Sequence, residues 1–158
     1  MSDPWVLSTV AHGYWLHYPE VVTQIWARYG VAQVDLFVSR ETTHCQEWFS
    51  FIRQGGSLGL DALSQDWPIG LLHTFPPLPL IPQVFQRVRE GRCTVLLVAP
   101  RWLGRLWVSD LLRLLPGHSW QLPPRADLLS QVEGQIWHPN PVALYLWVWP
   151  LKSLTLNR

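Results

Sequence analysis

A chain of 158 residues has the length of one domain, and at 48% hydrophobic and 15% charged it holds enough apolar material to bury a core, which excludes wholesale disorder. The net charge is +1, with eleven arginines and one lysine scattered rather than clustered, so electrostatics alone predict no strong non-specific nucleic-acid binding. Cys45 and Cys93 stand far apart and read as two free thiols, and the six histidines form no HxxxH pattern, so no metal site is expected.

Residues 1–17 show no clear periodicity. "PEVVTQIWARYG" (19–30) predicts a helix: Pro19 suits the first turn, Val21, Val22, Ile25, Trp26 and Tyr29 form one apolar face, and Gly30 closes it. "AQVDLFVSR" (32–40) reads as a short buried strand. "THCQEWFSFIR" (43–53) fits a helix or an irregular segment equally well. "QGGSLGLDALSQDW" (54–67) reads as a loop with a short helical turn, and its GGxxG follows no strand, which argues against a phosphate cradle. "GLLHTFPP" (70–77) predicts a second strand running into prolines. "PQVFQRVREG" (82–91) repeats the helix pattern, with proline at the start and Gly91 at the end. "CTVLLVAP" (93–100) is the clearest strand, a continuous apolar run suited to burial on both faces. "RWLGRLWVSDLLRLL" (101–115) predicts a helix stopped by Pro116 and Gly117, and "VALYLWVWPL" (142–151) a last strand. The eleven tryptophans run from Trp5 to Trp149, too dispersed for one binding surface, and most are expected to pack. With no signal peptide and no apolar run of about 18 residues, the chain is expected to be intracellular, cytoplasmic or nuclear, with no membrane partner.

Strands alternating with helices imply an α/β fold, an open and mostly parallel sheet with flanking helices. Ligands of such sheets sit beyond the carboxyl ends of the strands. Those ends carry Asp35 to Arg40, Phe75 to Leu78, and Pro100 to Trp102. Asp35 is an acidic residue in an apolar strand, where an unpaired carboxylate is costly, so it needs a donor: a backbone N–H, or a ligand hydroxyl or amine. In "FPPL" the paired prolines form either an ordinary turn or a rigid set of acceptor carbonyls. Arg101 and Trp102 open a helix and either pack or face a ligand. No GxSxG elbow, no GxxxxGK[ST] loop and no four-carboxylate cluster is present, and the adjacent His44 and Cys45 make a poor nucleophile pair.

The runs "YWLHYPEVVTQIWARYGVAQVDLFVSRETTHCQEWFSF", "LGLDALSQDWPIGLLHTFPPLPLIPQVFQRV" and "VLLVAPRWLGRLWVSDLL" resemble the segment that follows reverse transcriptase and RNase H in DIRS-type, tyrosine-recombinase retrotransposon polyproteins. The resemblance covers roughly residues 14 to 151. It implies a single domain there, with a divergent opening segment (1–13) and a tail (152–158). That polyprotein segment is itself similar to phage-type DNA N6-adenine methyltransferases, so the resemblance implies a Rossmann-like methyltransferase-type sheet.

In the methyltransferases an acidic residue ends the first strand beside S-adenosylmethionine, and an Asn-or-Asp-Pro-Pro-aromatic motif ends a later one. The resemblance places Asp35 on the first position and Phe75, Pro76, Pro77 and Leu78 on the second, as a candidate cofactor and base pocket. Phe75 cannot accept a hydrogen bond from an adenine amine, and Leu78 is a poorer platform for a base than an aromatic ring. The retroelement segment also carries Phe before the prolines and usually has Asn where this chain has Thr42. No catalytic residue is therefore expected, and no Tyr-x-Asp-Asp or RNase H carboxylate set is present. Three functions follow as expectations. The first is a non-catalytic structural or interaction module beside the RNase H and reverse transcriptase part of a parent polyprotein. The second is a module that still binds S-adenosylmethionine near Asp35. The third is a nucleic-acid-binding accessory domain using Arg40, Arg101 and Arg105 with Trp102 as a stacking platform.

Overall fold

The computed structural model describes residues 16–17, 19–36, 43–45, 47–50, 59–60, 66–76, 78–102, 118–123, 128–131, 136–137 and 145–152. Among these lie ten strands and two α-helices: β1 (Leu16–His17), α1 (Pro19–Tyr29), β2 (Val34–Leu36), β3 (Glu47–Ser50), β4 (Gly59–Leu60), β5 (Leu71–Thr74), α2 (Ile81–Glu90), β6 (Thr94–Pro100), β7 (Trp120–Gln121), β8 (Leu129–Gln131), β9 (Ile136–Trp137) and β10 (Leu146–Lys152).

The first helix forms where its apolar spacing and punctuation demand. Pro19 and Glu20 occupy the first turn, Arg28 the last, and Val21, Val22 and Ile25 are buried. Gly30 ends it at φ +101°, its N–H donating to the Trp26 carbonyl at 2.8 Å, a conformation that glycine adopts without steric cost. The second helix buries Ile81, Val84, Phe85 and Val88, a spacing that puts all four on one face.

Seven strands form one mixed sheet in the order β4-β3-β2-β5-β6-β10-β7. From β4 to β6 every neighbour is parallel, whereas β10 runs antiparallel to both β6 and β7. The expectation of a mostly parallel α/β sheet therefore holds for five strands. The last strand departs from it, because the chain between Pro100 and Leu146 returns to the end of the sheet it left. That return includes β7, β8 and β9, and is not a single helical crossover. A separate three-stranded antiparallel sheet, β1-β8-β9, has no counterpart in the sequence pattern. β3 forms where 43–53 fits a helix or an irregular segment equally well, and β4 lies inside the expected loop. The expected helix over 101–115 lies outside the described residues beyond Arg101 and Trp102, which form a turn.

Apolar side chains divide between the two faces of this sheet. On one, α2 packs with Val34, Leu36, Phe49, Leu72, Val95, Leu97, Ala99, Trp149 and Leu151. On the other, Val21 and Ile25 of α1 pack with Phe75, Leu96, Val98, Leu128, Leu129, Leu146 and Val148. Alternate residues of β6 thus feed opposite cores, which is why its sequence is apolar without interruption. Pro150 sits within β10 without breaking the β6 ladder. The Leu122 N–H donates to the Leu146 carbonyl at 3.0 Å, so even-numbered residues of β10 turn their backbone groups toward β7, and Pro150, lacking an N–H, lies on that side.

Candidate functional site

Asp35 and His73 are register partners on the parallel strands β2 and β5, so their side chains leave the same face of the sheet, the face that α1 covers. Both are buried, Asp35 completely. A carboxylate at zero exposure demands donors, and the chain supplies three. His73 Nδ1 lies 2.5 Å from Oδ1. Oδ2 accepts from the Thr43 hydroxyl at 2.8 Å and from the His44 backbone N–H at 2.6 Å. The Thr43 hydroxyl has one proton, which goes to the charged acceptor, and its oxygen in turn accepts the Cys45 N–H at 3.1 Å.

Residues 43–45 are thereby stapled onto the sheet, and Trp26 of α1 sets its ring edge-on to His73, with centroids 5.5 Å apart at 82°. Burial opposes the Asp35 charge, but the charge and hydrogen bond of His73, the His44 N–H and the Thr43 hydroxyl outweigh it and hold the carboxyl at about 2, below its ordinary 3.8. The same arrangement acts oppositely on Cys45. Burial first, then the charge and hydrogen bonding of Asp35, push its thiol well above the ordinary range, so it stays protonated and is a poor nucleophile.

The positions predicted from sequence meet only in part. Asp35 finds a backbone N–H donor, one of the two alternatives its burial left open, together with two side-chain donors. Phe75 lies two residues beyond His73 on the same face and is 6% exposed, packed in the cluster that contains Val21 and Ile25. Pro76 is buried, Leu78 begins a 3-10 turn (Leu78–Leu80) that feeds α2, and Pro77 lies outside the described residues. Arg101 and Trp102 are exposed at the carboxyl end of β6, some strands away from Asp35, while Arg40 and Arg105 lie outside the described residues. His73 and Thr43 were not singled out from sequence. His73 carried a usable signal, since a polar residue inside "LLHT" raises the same burial cost that drew attention to Asp35. Among the described residues no group of three or more His, Cys, Asp or Glu is arranged to hold a metal ion, and no helix is long and apolar enough to cross a membrane.

Comparison with family models, with curated proteins and with solved structures returns no match.

Proposed function

We propose that this chain is a non-catalytic, methyltransferase-like α/β module that serves as a structural or interaction part of a retrotransposon-derived polyprotein. One observation carries the non-catalytic reading: the two positions a methyltransferase would turn toward its ligands are consumed by the fold. Asp35 spends its carboxylate on Thr43, His44 and His73, and Phe75 spends its ring on the core beneath α1. A carboxylate has about four acceptor sites. These three donors take three of them, the Cys45 thiol is held against the same carboxylate, and Asp35 has no exposed surface for a ribose or amine to approach. The retroelement origin rests on the sequence resemblance across roughly residues 14 to 151.

Thermal unfolding with and without S-adenosylmethionine tests this. A ligand at one hundred times its dissociation constant stabilises by about 2.7 kcal/mol, a rise of several degrees for a chain of this size. The melting temperature is expected to stay unchanged. A rise that grows with cofactor concentration would overturn the reading in favour of a cofactor-binding module.

A further inference from the structure

The carboxyl end of β6 holds a second feature, remote from Asp35. Leaving β6, the chain turns at Arg101 and Trp102, and the Arg101 N–H donates to the Tyr145 carbonyl at 2.8 Å. Tyr145 precedes β10 and has φ +48°, the one non-glycine residue among those described with a positive φ. Glycine or asparagine is the ordinary choice there. Packing does not account for the tyrosine either, because it is 57% exposed. Trp102, at 37%, is the other exposed large aromatic side chain among the described residues, and Arg101 beside it is exposed as well. The remaining exposed large apolar residues, Val31 and Ile69, precede β2 and β5 and so lie at the opposite end of the sheet.

A backbone held in an unfavourable conformation to present an aromatic ring to water suggests a ring with a partner. Two exposed aromatic side chains and an exposed guanidinium, on adjoining segments at one end of the β6–β10 pair, suit a ligand that is flat, aromatic and negatively charged. Bases stack on Trp and Tyr largely without regard to sequence, and arginine both stacks and meets phosphate. The site also lies at the end of the sheet where α/β folds bind ligands. We infer that Arg101, Trp102 and Tyr145 form a stacking platform for unpaired bases of single-stranded nucleic acid. A duplex hides its base faces and fits less well. With a net charge of +1, affinity here comes from stacking more than from a phosphate-tracking surface. This names a partner class for the interaction module proposed above and rests on that reading.

The test is anisotropy of a fluorescein-labelled oligothymidylate DNA strand titrated with the full chain at low and high salt, beside a duplex of equal length. The single strand is expected to bind more tightly than the duplex. Trp102→Ala and Tyr145→Gly should each weaken binding about tenfold, the loss of one stacked base, while Tyr145→Phe retains it. Arg101→Ala should lower the salt slope by about 1. Tyr145→Gly suits its backbone conformation, so its melting temperature should not fall and lost binding cannot be blamed on unfolding. The inference is overturned if wild type does not bind the single strand, if the duplex binds equally well, or if Trp102→Ala and Tyr145→Gly bind like wild type. Cofactor is absent from every arm, so failure here leaves the thermal-shift result, and the non-catalytic reading, standing.

Discussion

His73 Nδ1 and the Asp35 carboxylate meet at 2.5 Å between adjacent parallel strands, in a place that water does not reach. The pair does not stand alone, since Thr43 and the His44 backbone close the other carboxylate oxygen. Breaking such a group from one side strands every donor at once. Asp35→Ala is therefore expected to cost about 3–5 kcal/mol, because three buried donors lose their acceptor together. Asp35→Asn should cost less, because its carbonyl oxygen in the place of Oδ2 can still accept from both Thr43 and His44. Urea unfolding midpoints measure both. A loss below about 1 kcal/mol for Asp35→Ala would mean that the network contributes no more than a surface ion pair.

Acid should unpick the same network. The folded-state pKa of Asp35 is depressed to about 2 from an ordinary 3.8, so between these values the unfolded chain binds the extra proton. Its contribution is fully present above about pH 4 and is lost as the pH falls through about 2. The size is on the order of 2 kcal/mol. Stability measured from pH 5 downward should fall more steeply in wild type than in Asp35→Asn, which has no proton to take up at this site. Parallel curves for the two proteins would refute the assignment.

Both helices were legible from local grammar: proline at the start, apolar residues at i, i+3 and i+4, glycine at the end. β6 was legible because a strand buried on both faces has no polar face to show. Asp35 was flagged by the cost of burying its charge, but its partners were not. Register with His73 and the approach of Thr43 come from strand pairing and chain path, which no local pattern encodes. Glu47–Ser50 reads polar, apolar, apolar, polar, with no strand alternation, and its place beside β2 makes it a strand. The direction of β10 depends on how often the chain crosses the sheet between residues 101 and 145, again not a local property.

Cys45 offers a chemical readout of Asp35. Its thiol is pushed up by burial and by the neighbouring carboxylate, so little thiolate is available at neutral pH. Alkylation by iodoacetamide, followed residue by residue with mass spectrometry, should be much slower at Cys45 than at a cysteine in a short peptide. Asp35→Asn removes one of the two causes and should speed it. Cys93, buried on the other side of the sheet in the cluster with α2, serves as the internal control. If the substitution accelerates both cysteines equally, the cause is unfolding and not the lost charge.

Gly70 gives a conformational test. It has φ +137°, and a Cβ there would clash with the Gln33 Oε1. Gln33 is exposed and its amide can swing aside, so the contact is the smaller problem and the backbone the larger. Gly70→Ala should cost about 1–2 kcal/mol, the left-handed penalty for a residue with a Cβ. Adding Gln33→Ala should recover little of it. Full recovery in the double variant would show that the clash, not the backbone angle, requires glycine.

Phe75 separates the two meanings of the proline motif. The sequence resemblance places Phe75 where a methyltransferase carries an acceptor for the adenine amine, and on that reading an acidic residue there would restore the pocket. The structure sets the ring instead in the core beneath α1, 6% exposed. Phe75→Ala should cost about 3–5 kcal/mol by leaving a cavity. Phe75→Asp should lower the urea midpoint further, because it adds an unpaired buried carboxylate to the same lost packing. It should also give no S-adenosylmethionine-dependent rise in melting temperature. If Phe75→Asp is as stable as wild type, its side chain reaches solvent, and the main support for a module without catalysis is gone.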